Sequence, residues 1–92
     1  MKEIRFDIRR YFLENHFRPE QHAEFNDETA LVSSGIIDSI GAMKLIGYVE
    51  ERYGIEFLPR EVDLRDLECV SSIERAIRRK IEADTRSGQR AV

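Results

Sequence analysis

Gly35-Ile36-Ile37-Asp38-Ser39-Ile40-Gly41-Ala42-Met43-Lys44-Leu45-Ile46-Gly47-Tyr48-Val49-Glu50-Glu51-Arg52-Tyr53-Gly54 is the stretch that decides the fold. Ala42, Leu45, Ile46, Val49 and Tyr53 recur at i, i+3, i+4, i+7 and i+11, the buried stripe of an amphipathic helix. Asp38 and Ser39 are both good N-cap residues, and Gly54 is the expected stop. The pattern predicts a helix over 39–53. At about 100° per residue, Ile40, Met43 and Gly47 fall on its outward face, beside Ser39 at the edge of the stripe. Gly47 inside a helix costs about 1 kcal/mol relative to Ala, and Gly41 carries the same penalty if it is fully helical. Two glycines on the outer side would leave room for something to approach closely.

Upstream, Ile4, Ile8, Tyr11 and Phe12 form the stripe of a first helix over 2–16, with Phe6 and Leu13 on roughly the opposite side. Pro19 ends it. Residues 18–38 lack a sustained period, yet Phe25, Leu31, Val32, Ile36 and Ile37 can anchor them to a core. An unstructured connection of that length is unusual unless it is functional. Downstream, Asp63 can cap a short helical turn with Leu64 and Leu67 inward. Ser71-Ser72-Ile73-Glu74 reads as a capping box for a last helix striped by Ile73, Ala76, Ile77 and Ile81. Burying these stripes against one another gives an all-α fold, a small four-helix bundle of three longer helices and one short third helix. Residues 1–83 form the domain, and residues 84–92 read as a flexible C-terminal tail.

Ninety-two residues make one domain, large enough for a core without disulfides. The net charge of −3 opposes a general nucleic-acid binder, which needs surplus Lys and Arg. The acidity sits in the connections, where residues 20–38 hold five acids and no Lys or Arg. Arg75, Arg78, Arg79 and Lys80 read as a solvated helix face. No apolar run is long enough to span a membrane, and no signal-peptide core is present, so a cytoplasmic location is expected.

Catalytic constellations are thin. His16 suits a helix C-terminus, where a cation is favourable, and His22 lies in the long connection. Cys69 cannot pair internally and reads as a buried small hydrophobe between Leu67 and Val70. No metal site and no Gly-rich phosphate loop is present. Ser39 stands apart. At a helix N-terminus, unpaired N–H groups and the positive end of the macrodipole would favour a phosphate esterified to its hydroxyl. The plainer reading is that Asp38-Ser39 only caps the helix.

Gly35 to Ile40, the helix ending Glu50-Glu51-Arg52-Tyr53-Gly54-Ile55, and the late Val70-Ser71-Ser72-Ile73 together resemble the acyl carrier protein family, including peptidyl and D-alanyl carriers. The resemblance covers roughly Ile4 to Ile81. It implies that Ser39 accepts 4′-phosphopantetheine from coenzyme A, that Asp38 is the acid preceding it, and that Ile40, Met43 and Gly47 meet partner enzymes. The arm's thiol would hold the cargo as a thioester, so the protein would need no catalytic residue and no metal of its own. The implied partners are a phosphopantetheinyl transferase, an adenylate-forming acyl or aminoacyl ligase and downstream acyl-using enzymes. A monomer is the default for such a shuttle.

Carriers of bacterial fatty-acid synthesis typically have acids along the first half of this helix. Here Ile40-Gly41-Ala42-Met43-Lys44 has none, which weakens that steering. The form resembles free-standing carriers served by a stand-alone ligase. The alternative reading is an unmodified helical adaptor that docks through Ile40 and Met43.

Overall fold

The computed structural model describes residues 2–87. Three α-helices carry the core: α1 over Lys2–Asn15, α2 over Ser39–Tyr53 and α3 over Val70–Ser87. The expected short third helix is a 3-10 turn over Leu64–Leu67. Further 3-10 turns span Pro19–Glu24 and Pro59–Glu61. There is no strand among the described residues, so the all-α bundle is the observed architecture.

The stripes meet as their spacing requires. Ile4, Ile8 and Phe12 of α1, Leu45 and Val49 of α2, and Val70, Ile73 and Ile77 of α3 are all buried. Tyr11, Ile46, Tyr53 and Ile81 pack half-buried around them. Helix α1 runs antiparallel to α2: Asp7 meets Arg52 and Tyr53 at one end, and Tyr11 stacks on Tyr48 at 4.7 Å further along. The Asp7 carboxylate is only 3% exposed and accepts from Arg52 Nε at 3.1 Å and Tyr53 Oη at 2.8 Å. A buried charge is tolerable only with such partners. Burial, and then the bond to Asp7, pushes the Tyr53 hydroxyl well above its ordinary range. The α1–α3 contact carries a second pairing, Arg5 to Glu74 at 2.7 Å.

The connection from α1 to α2 is ordered by its own side chains. Pro19 opens the first 3-10 turn, where its missing N–H leaves nothing unsatisfied, and Gln21 Oε1 accepts the Arg18 N–H at 2.9 Å. Phe25 and Leu31 are buried. Asp27 pairs with Arg5 at 3.2 Å and Arg9 at 2.8 Å, while its carbonyl accepts the Ser71 N–H.

Four expectations need correction. Leu64 is largely exposed rather than inward, because the 3-10 turn points only Leu67 at the core. The capping box at Ser71 does not form. The helix begins at Val70, two residues before the start that box would give, and Ser72 Oγ instead accepts the Cys69 N–H at 3.1 Å. Ser71 Oγ donates to Glu28, and Glu74 is engaged by Arg5 and Arg78. Cys69 is half-buried, its sulfur 3.7 Å from Glu28 and from Ser72 Oγ. Finally, α3 does not stop at residue 83. A Lys80–Asp84 pair one helical turn apart supports its continuation to Ser87, and residues 88–92 of the expected tail lie outside the described residues.

Candidate functional site

Ser39 is the first helical residue of α2, and it is exposed. Its setting follows from Asp38. The Asp38 backbone is extended, and its carboxylate accepts the Gly41 N–H at 2.8 Å. Asp38 is therefore the cap, which removes that task from the neighbouring serine. Among the described residues nothing hydrogen-bonds the Ser39 hydroxyl, and the N–H groups of Ser39 and Ile40 have no partner. The first turn of α2 holds no other acid.

The flanking face is as the spacing predicts. Ile40 is 64% exposed and Met43 72% exposed, beside the serine. Gly47 lies on the same face, and a Cβ added there would meet nothing within 4 Å. Gly41 differs. A Cβ at that position would stand 3.3 Å from Asp38 Oδ1 and 3.3 Å from Ile37 Cβ, so its glycine makes room for the cap rather than for a visitor. Below Met43 and Gly47, a groove of about 400 Å³ is lined by Ile46, Phe57, Leu58 and Val62. The interior behind it is nearly filled, with a cavity of only about 10 Å³ among Leu45, Val49, Leu67 and Ile77.

The approach to Ser39 is fastened in part by Glu68, a residue that no sequence pattern marks. Glu68 closes the Leu64–Leu67 turn. Its backbone carbonyl accepts the Leu31 N–H at 2.7 Å. Its carboxylate accepts from Val32 N at 3.2 Å, Ser33 N at 3.0 Å and Ser33 Oγ. The Ser33 hydroxyl bond, followed by the backbone bonds, holds that carboxyl below the usual range. Gly35 turns the chain with φ of 83°, and Ile37 N–H returns to the Leu31 carbonyl at 3.0 Å. Asp38 and Ser39 follow directly.

The histidines are not brought together. His16 packs at 5.2 Å from the Phe12 ring and 5.9 Å from Tyr11. Burial lowers its basicity, against the nearby Asp38 charge and together with that of Lys44. The fold therefore favours the neutral ring, not the cation expected at a helix end. His22 Nε2 lies 3.2 Å from the Leu13 carbonyl and is exposed. The described residues contain no cluster of His, Cys, Asp and Glu able to hold a metal. No helix among them is long and apolar enough to cross a membrane. The basic run on α3 is largely paired: Arg78 with Glu74, Arg79 with Asp66, Lys80 with Glu61.

The phosphopantetheine attachment site family matches residues 19–77, most of the chain and the whole of this site. The chain belongs to that family. No curated protein matches it significantly. A member of the phosphopantetheine attachment site family has a carrier role, with 4′-phosphopantetheine covalently attached. Such carriers meet a phosphopantetheinyl transferase and acyl-using enzymes, and they are generally not catalysts themselves. The start of α2 fits the phosphate end of that group. A free hydroxyl, two unpartnered N–H groups and the positive helix terminus converge there, and the Asp38 charge is turned toward Gly41.

Proposed function

We propose that Ser39 is the attachment residue, and that the chain carries an acyl or aminoacyl group for a stand-alone adenylate-forming ligase and the enzymes after it. One observation carries this reading: Ser39 is exposed and unbonded at the start of α2 because Asp38 does the capping. The bound arm supplies a terminal thiol that holds the cargo as a thioester. The chain's own residues do the rest. Asp38 fixes where the helix begins, and the unpartnered N–H groups of Ser39 and Ile40 would be available to hold a phosphate on Ser39. Ile40 and Met43 offer apolar side chains to a partner, and Gly47 lets it come close. Lys44 and the absence of acids beyond Asp38 in the first turn support a partner that is not drawn in by negative charge there. Tethering then raises the cargo's effective concentration at each partner. The site is exposed and the protein needs no cleft for this work.

Intact mass after incubation with coenzyme A, magnesium and a broad-specificity phosphopantetheinyl transferase tests the assignment. The wild-type chain gains one arm and Ser39→Ala gains none. An equal gain in both moves the attachment elsewhere. Screening stand-alone ligases for loading of the modified chain tests the cargo class.

A further inference from the structure

The segment that delivers Ser39 into α2 is held from outside by one side chain. Glu68 is 29 positions further along the chain, yet its carboxylate takes the N–H groups of Val32 and Ser33 and the Ser33 hydroxyl. Its carbonyl takes the Leu31 N–H. Leu31 in turn receives the Ile37 N–H, and Ile37 is buried directly before the Asp38 cap. Hydrogen bonds thus run from the Glu68 carbonyl through Leu31 to Ile37, the Glu68 carboxylate fastens Val32 and Ser33 beside that path, and Asp38 and Ser39 follow Ile37 in the chain. Leu31 and Ile37 pin the two ends of the segment in the core, but between them Val32 is only half-buried and Ser33 and Ser34 are exposed, so burial does little to order its middle. Without the carboxylate, two N–H donors and a hydroxyl lose their shared acceptor, and the turn at Gly35 loses its anchor on one side.

We propose that Glu68 is a positioning residue for modification at Ser39, presenting the serine to the transferase in a fixed approach. The inference rests on the assignment of Ser39 as the attachment residue. Glu68 touches neither the serine nor the incoming group, and it acts only through the 31–37 segment. An enzyme that recognises the ordered segment sees a concentration reduced by the fraction ordered. The loss therefore falls on KM, with kcat retained. The low-lying acidity of Glu68 keeps the carboxylate charged, and so a strong acceptor, across the neutral range.

The test compares transferase kinetics of the full chain with Glu68→Ala, Glu68→Gln and Asp63→Ala, each checked for folding by circular dichroism. Asp63 caps the same 3-10 turn through Arg65 and Asp66 N–H without touching residues 31–37, so its loss reports general destabilisation. In Glu68→Ala, KM rises by about tenfold and amide exchange at 31–37 quickens. Glu68→Gln, which keeps one oxygen for the two N–H donors, returns most of the loss. A wild-type KM in Glu68→Ala, or an equal rise in Asp63→Ala, overturns the inference while leaving Ser39 as the attachment residue. A wild-type chain that gains no arm overturns the assignment of Ser39, and the inference with it.

Discussion

The Asp38 carboxylate accepts the Gly41 N–H at 2.8 Å, and the same carboxylate leaves no comfortable space for a side chain at position 41. Cap and glycine form one device. The carboxylate folds over the first turn of α2, where a Cβ would meet both its oxygen and Ile37 at 3.3 Å. The serine between them is left to the solvent.

Asp38→Ala should therefore lower stability by about 1 kcal/mol, the usual worth of a lost N-cap. Asp38→Asn should recover most of it, because the amide oxygen still reaches the Gly41 N–H. Urea denaturation read by circular dichroism measures both, with unchanged m-values expected. A loss of several tenths or less in Asp38→Ala would mean that the Ser39 hydroxyl takes over the cap.

The two helix glycines should part company. Gly47→Ala meets open space, so it should stabilise α2 by about 1 kcal/mol through helix propensity alone. Gly41→Ala should forfeit that gain against Asp38 and Ile37. For a chain of this size the first change raises the thermal midpoint by about 4–8 °C. Equal shifts in both variants would contradict the crowding at position 41.

Asp7 should be a hinge point of stability between α1 and α2. Asp7→Ala removes the acceptor for Arg52 and Tyr53 and leaves the Tyr53 hydroxyl half-buried, at a cost of about 2–3 kcal/mol. Tyr53→Phe removes one bond and leaves the ion pair, at about 1–2 kcal/mol. Chemical denaturation of both variants orders these costs, and equal costs would show that Tyr53, not Arg52, dominates the pairing.

Acid should weaken the fold in two stages. Burial lowers the His16 basicity below its ordinary 6.5, so the unfolded chain binds that proton more readily. Stability present above 6.5 is then lost as pH falls through the folded value. In Glu68 the Ser33 hydroxyl bond lowers the carboxyl from 4.5. In Glu74 burial pulls upward, but the bonds from Arg5 and Arg78 outweigh it. Their stabilisation is present above 4.5 and lost as pH falls below it. His16→Gln should abolish the first stage and keep the second, as followed by urea midpoints from about pH 8 to about pH 3.5.

The helical stripes were legible because burial follows period: Leu45, Val49, Ile73 and Ile77 fall where spacing alone puts them. So was the start of α2, where two polar residues precede the stripe and Gly54 closes it with φ of 65°. The outward placement of Ile40, Met43 and Gly47 followed from the same arithmetic. What stayed hidden was non-local. Glu68 looked like one acid among several, since its partners lie 35 and 36 positions away. Leu64 and Leu67 had equal claims to the core until the 3-10 geometry chose between them. Ser71 carried a helix-start pattern, but its hydroxyl went to Glu28 in the long connection. Local rules cannot anticipate a competitor supplied by another segment.

The bond from Leu31 to Glu68 also sets an order of events. Each helix can begin from neighbours in sequence, but this contact spans 37 positions and waits for the chain to close on itself. As the polypeptide is synthesised, Ser39 emerges well before the residue that fastens its approach. A nascent chain ending before residue 68 contains the serine, its Asp38 cap and the whole of α2, yet lacks the partner for Leu31, Val32 and Ser33. The proposed modification site is spelled out early and completed late.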